Sequence, residues 1–150
     1  MMLTRRSALA LSAGASAFAF AGMTGLAFAS PEDTKAMMME FTGGKEPATG
    51  TISLNAPEIA ENGNTVPVSV SVDSPMTAES YVESVVLYAD GNPSPAVATF
   101  HYTPMSGEAS ATTRMRLAKT QNVVAVAKMN DGSVFMDTKQ VKVTIGGCGG

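Results

Sequence analysis

The sequence predicts an all-β protein, an antiparallel β-sandwich preceded by one short helix. Three observations carry that prediction. The segment "VPVSVSV" (66–72) alternates strictly between valine and polar or proline positions, the period of a strand with one buried face. From Thr51 onward, turn signals recur roughly every 8–15 residues, the spacing of short strands in a sandwich. Only one stretch, beginning at Ser30, carries helix start and stop signals.

That stretch opens with Ser30-Pro31-Glu32-Asp33: a serine N-cap, proline at the first helical position and acids in the first turn. "TKAMMMEF" continues it to Phe41, and Gly43-Gly44 ends it. Met37-Met38-Met39 form no clean stripe and read as adaptable packing against a sheet or a partner rather than as a metal site. A short strand is expected at 51–54. "VPVSVSV" then puts Val66, Val68, Val70 and Val72 inward, with Pro67 at an edge or turned outward because it has no N–H to give a ladder. "SVVLYA" (84–89), the turn "DGNPSP" and "AVATFHYT" (96–103) follow. "ATTRMRLA" (111–118) alternates again, Thr113, Met115 and Leu117 inward and Arg114 and Arg116 in water. "NVVAVAKM" (122–129) and "SVFMDT" (133–138) flank Asn130-Asp131-Gly132, a hairpin signal because Asp-Gly accepts positive φ. "KQVKVTI" (139–145) closes the domain with Val141, Val143 and Ile145 inward. There is neither a cysteine pair nor a tryptophan, so "immunoglobulin-like" describes the architecture only.

Residues 1–29 stand outside this domain. Arg5 and Arg6, an uncharged run of Ala, Leu, Phe and Gly, and Ala27-Phe28-Ala29 form the n-region, h-region and cleavage site of an export signal. The pair lies in Thr4-Arg5-Arg6-Ser7-Ala8-Leu9, which is similar to a twin-arginine signal, with Ala8 where that pattern prefers Phe. The expected organisation is a signal at 1–29, a sandwich at 30–145 and an arm at 146–150, with no membrane segment in the mature form. Without Arg5 and Arg6, eight basic residues face thirteen acidic ones, a net charge of −5. Such a balance offers no electrostatic footprint for nucleic acid or an anionic membrane.

Cys148 is the one cysteine of the sequence. It lies in "TIGGCGG" (144–150), with no neighbouring side chain large enough to bury it. One cysteine closes no bridge within its own chain, so in an exported protein it is a reachable thiol. Ile145 is the last inward apolar position, and Cys148 reaches roughly 10 Å beyond it if the backbone extends. Gly146 and Gly147 before it, and Gly149 and Gly150 after it, make a flexible arm slim enough to enter a narrow cleft. No Lys, Arg or His flanks the thiol. At an ordinary pKa near ~8.5 only a few per cent is ionised at neutral pH, which fits a group that carries rather than one that catalyses.

"VKVTIGGCGG" (141–150), together with "APEIAENGNTVPVSVSV" (56–72) and "RLAKTQNVVAVAKMNDGSVF" (116–135), resembles SoxY, the sulfur-carrier family of the periplasmic thiosulfate-oxidising Sox system. The resemblance covers most of the mature sequence, and twin-arginine export agrees with it because members of the family are exported folded. It implies that a c-type haem enzyme joins thiosulfate oxidatively to Cys148 and that a hydrolase then releases sulfate, leaving a persulfide. In systems that possess it, a molybdenum–haem sulfane dehydrogenase oxidises that sulfur further. It also implies a heterodimer with a SoxZ-like β-sandwich subunit, a periplasmic location, and no cofactor or catalytic residue on this chain.

Other candidates are weaker. His101, alone between Phe100 and Tyr102, reads as a surface strand residue rather than a metal ligand. Tyr81, Tyr88 and Tyr102 are too scattered for a base-stacking platform. Glu58 and Glu61 read as solvated loop acids. No Ser/His/Asp set, phosphate-binding loop or metal cluster stands out. Two rivals to the carrier reading are a structural or adhesive sandwich that uses Cys148 for an intermolecular disulfide, and a thiol redox sensor.

Overall fold

The structure is a computed structural model and describes residues 29–147. Helix α1 spans Pro31–Thr42. Ser30 and Asp33 cap it reciprocally: Asp33 N–H donates to Ser30 Oγ (3.2 Å) and Ser30 N–H to Asp33 Oδ2 (2.8 Å), satisfying two otherwise orphaned donors. Gly43 ends it in the left-handed region at φ 67°, and Gly44 N–H returns to Met39 O.

The strands are β1 Ala48–Thr49, β2 Ile52–Asn55, β3 Ile59–Asn62, β4 Val66–Val72, β5 Val82–Ala89, β6 Ala96–His101, β7 Ala109–Met115, β8 Gln121–Met129 and β9 Val134–Ile145. One sheet runs β1-β9-β8-β5-β6, with β3 also on β9; the other is β2-β4-β7. Their facing sides enclose one core that includes Val66, Val68, Leu87, Leu117, Val123 and Val141. Each such aliphatic side chain contributes about 1.5–3 kcal/mol by leaving water. The sandwich predicted from the alternating strands is present.

β5 and β8 are buried on both faces because α1 covers part of the larger sheet's outer side. There Met38 and Phe41 pack with Met136 over Val86, Tyr88, Val124 and Val126. The methionine run thus contributes one packing residue, while Met37 and Met39 remain exposed. Burial, with the Glu40 charge adding to it, raises the pKa of Tyr88.

Several elements differ from expectation. "PEIAENG" holds a strand, β3, which pairs parallel with β9 through Ile59↔Lys142, Ala60↔Val143 and Asn62↔Ile145. Only Ala60 of its four residues is buried, so no alternation announced it; Glu58 and Glu61 are exposed as expected. The expected strands 133–138 and 139–145 are one twelve-residue strand, β9. Its middle, Thr138, Lys139 and Gln140, is exposed and so resembles a break. β7 ends at Met115, yet Leu117 beyond it is fully buried. Ile145 is 67% exposed rather than inward, because β9 has by then passed the last core layer, Val141 and half-buried Val143.

Candidate functional site

β5, β7 and β9 end at the same rim of the sandwich, and β4 and β8 start from it. Of the residues singled out in the sequence, Gly146 and Gly147 lie on this rim. Cys148, Gly149 and Gly150, like Arg5 and Arg6, lie outside the described residues.

Three backbone segments interlock there. Gly63 N–H donates to Ile145 O (2.7 Å), Leu117 N–H to Gly63 O (2.7 Å), and Gly147 N–H to Leu117 O (2.9 Å). Gly147 is buried. The segments lie so close that side chains are excluded. A Cβ on Gly63 would strike Leu117 O and stand 2.7 Å from Gly147 N; one on Gly147 would stand 2.6 Å from Gly63 O; one on Gly146 would strike Ala118 O. Gly146 and Gly147, the first residues of the expected flexible arm, are therefore in contact with Ala118, Leu117 and Gly63. They are seated on the body, and the glycines there permit contact as much as motion.

The 116–121 stretch that receives them is held from behind by two buried amides. Asn92, 1% exposed, donates through Nδ2 to Arg116 O (2.8 Å) and accepts at Oδ1 from Ala118 N–H (3.0 Å) and Gln121 Nε2 (2.9 Å). Gln121 also donates from Nε2 to Lys119 O and accepts from Gly91 N–H at Oε1. Thr120 Oγ1 accepts from Val143 N–H (2.9 Å), tying the stretch to β9. Every polar atom of the Asn92 side chain is thus spent on shaping this loop, as burial requires.

Sequence reading missed Gly63, Asn92, Leu117, Ala118 and Gln121 as members of this site. "ENGN" and "DGNP" look like ordinary turns, and nothing local marks their glycine or asparagine as a support for residues near 147. The rim's other new feature is charge: Arg116 and Lys119, both exposed, bracket the two carbonyls that meet the arm. His101 sits exposed at the end of β6. Among the described residues, no group of three or more His, Cys, Asp and Glu side chains is gathered.

The arrangement fixes a point of departure. The described fold ends at Gly147, held against Gly63 and Leu117.

The model of the family described as sulfur oxidation protein SoxY matches residues 38–148. The chain belongs to the SoxY family. Among solved structures, it is similar to the sulfur carrier protein SoxY from Chlorobium limicola f thiosulfatophilum at 33% identity and TM-score 0.63, over 77% of this chain and all of that one. It is also similar to the superoxide reductase (neelaredoxin) from Ignicoccus hospitalis at 21% identity and TM-score 0.56, over 77% of this chain and 94% of that one. The superoxide reductase from Nanoarchaeum equitans gives 13% identity and TM-score 0.53, over 63% and 99%. The two reductases show a shared fold alone. No curated protein matches the chain. The match to the SoxY model runs through Cys148 itself, so the cysteine is within the family pattern and the seat just before it within the described fold. No helix among the described residues is long and apolar enough to cross a membrane.

Proposed function

We propose that this chain is the sulfur carrier of a periplasmic thiosulfate-oxidising system and holds its cargo on Cys148 Sγ. Membership of the SoxY family, with the matched span reaching Cys148, carries the reading. In the loading step the thiol and thiosulfate form an S–S bond, giving Cys–S–S–SO₃⁻. One proton leaves, and two electrons pass to a haem-containing conjugating enzyme. Water then cleaves the sulfane–sulfone bond in a hydrolase, releasing sulfate and a proton and leaving Cys–S–SH. Where a sulfane dehydrogenase is present, the persulfide takes oxygen from three waters, gives up six electrons to that enzyme and releases seven protons, becoming Cys–S–SO₃⁻, whose hydrolysis releases a second sulfate and a proton and returns the thiol.

The chain's own contribution is retention and presentation. A covalent intermediate does not diffuse away between enzymes, and the small residues around Cys148 suit entry into successive clefts. Arg116 and Lys119 on the same rim supply positive charge toward which thiosulfate and the anionic adducts are drawn. A SoxZ-like subunit completes the carrier, and export uses Arg5 and Arg6.

Intact-mass analysis of the exported chain, fed thiosulfate together with its conjugating enzyme, tests this. Adducts of about 112 Da and, after hydrolysis, about 32 Da are expected on Cys148, and Cys148→Ser abolishes both along with thiosulfate-dependent electron flow. A chain found only as a reducible dimer of twice the mass, or electron flow retained by Cys148→Ser, would overturn the proposal.

A further inference from the structure

Where the arm leaves the sandwich is decided by residues far from it in sequence. We infer that Gly63 and Asn92 are positioning residues for the carrier thiol: Gly63 admits the arm to a seat of backbone groups, and Asn92 holds Arg116 O and Ala118 N–H, on either side of the Leu117 carbonyl that receives Gly147. The inference rests on the carrier reading for its purpose, but its geometry stands on described residues alone.

Two independent observations meet at this rim. The first is the exclusion of side chains. Gly63 faces Leu117 O, Gly147 N and Val143 Cγ1 at separations that no Cβ would allow without a shift, and its N–H and C=O are both spent, on Ile145 O and Leu117 N–H. Its φ does not lie in the positive range, so backbone conformation does not call for glycine at this position. The close approach of three strands of backbone does. The second observation is the Asn92–Gln121 pair, which uses its amide groups on Gly91, Arg116, Ala118, Lys119 and one another. It thereby holds the groups that flank the Leu117 and Ala118 carbonyls, which Gly147 and Gly146 meet.

The seat sets the length of chain left beyond it. With Gly147 N–H bound to Leu117 O, the chain is held up to residue 147. With that single hydrogen bond open, the hold retreats to Ile145, whose carbonyl Gly63 N–H still engages. The tether to the thiol then lengthens from one residue to three, a contour of roughly 10 Å at most.

The test uses the full chain and reads the arm directly. Amide exchange by NMR is expected to show Gly147 N–H about tenfold slower than Gly149 N–H, relative to their intrinsic rates, as a hydrogen-bonded terminal turn would be. Gly63→Ala should bring Gly147 to within about twofold of Gly149 while the amides of Leu87 and Val126 keep their protection. A nitroxide on Cys148 should give a restricted line shape in the parent and a mobile one in Gly63→Ala. Asn92→Asp, which loses the donor to Arg116 O, should have the same effect to a lesser degree, and it serves if Gly63→Ala does not fold. Equal exchange of Gly147 and Gly149 in the parent overturns the inference, as does full Gly147 protection in the folded variants. Thiosulfate adducts on Cys148 decide the carrier reading separately: a protected Gly147 on a chain that never loads leaves the seat and removes the carrier, and the reverse outcome does the opposite.

Discussion

At the rim that receives the arm, loops are held by buried amides and by glycines in close contact. Asn92 and Gln121 are 1% and 5% exposed, and their partners come from segments well separated in sequence. The opposite rim is held by exposed bonds, some between close neighbours and some between distant segments. Asp131 Oδ1 accepts from both the N–H and the hydroxyl of Ser133. Asn130 joins Glu79 O and Tyr81 N–H, and Lys45 Nζ reaches Gly132 O. The hairpin residues Asn130 and Asp131 are in water. The second rim does what turns generally do, reversing the chain at low cost. The first is specified more tightly than a reversal needs, which is the expected mark of a place where something must be positioned.

The contrast breaks most sharply at Asn92. Asn92→Leu keeps the branched shape but strands Arg116 O, Ala118 N–H and Gln121 Nε2 in a buried site, and urea unfolding should show a loss of about 3 kcal/mol. Gly63→Ala comes next. Overpacking against backbone costs about 1–3 kcal/mol, seen as a lowered Tm, and the arm is unseated as described above. At the other rim, Asn130→Ala removes exposed hydrogen bonds and should cost about 1 kcal/mol or less; a cost equal to that of Asn92→Leu would erase the distinction between the rims.

Smaller still is Tyr102→Phe. Tyr102 Oη is buried with no hydrogen-bond partner, and burial raises its pKa. Removing the hydroxyl should leave stability unchanged or raise it by up to about 1 kcal/mol, measured by the same unfolding curve.

The least effect on global stability, and the most local, is that of acid. Hydrogen bonds from Ser133 hold the pKa of Asp131 below its ordinary value of 3.8, with Lys45 adding to the effect. Bonds from Ser30 do the same for Asp33. A carboxylate with a depressed folded pKa stabilises the fold above its unfolded value, and that contribution is lost as pH falls through the folded one. The Ser133 and Ser30 amide resonances should therefore move with midpoints below 3.8. The Ala118 amide, bonded to an asparagine that does not titrate, should not follow them.

Much of the fold was legible because its signals are local. Alternation at 66–72 places Val66, Val68, Val70 and Val72 inward, as found. Ser30-Pro31-Glu32-Asp33 starts a helix and Gly43 stops it. Asn130-Asp131-Gly132 makes the hairpin turn, with Gly132 at φ 82°. Side-chain period, capping chemistry and positive φ depend on a few neighbours, and the sequence states them outright. Cys148 stands out as a candidate for the same reason, since its small neighbours adjoin it in sequence.

What the local signals could not supply was pairing. β3 exists because β9 offers it a ladder, and β9 stays whole across Thr138, Lys139 and Gln140 because β8 pairs with it throughout. Gly63 reads as a turn glycine until the fold brings Leu117 and Gly147 against it, and Asn92 as a loop residue until the 116–121 stretch closes over it. Neighbouring residues alone set which positions alternate, cap and turn, and where the thiol stands in the chain. Tertiary structure alone decided where residue 147 is held, because a seat built from backbone groups of distant segments has no side-chain pattern to announce it.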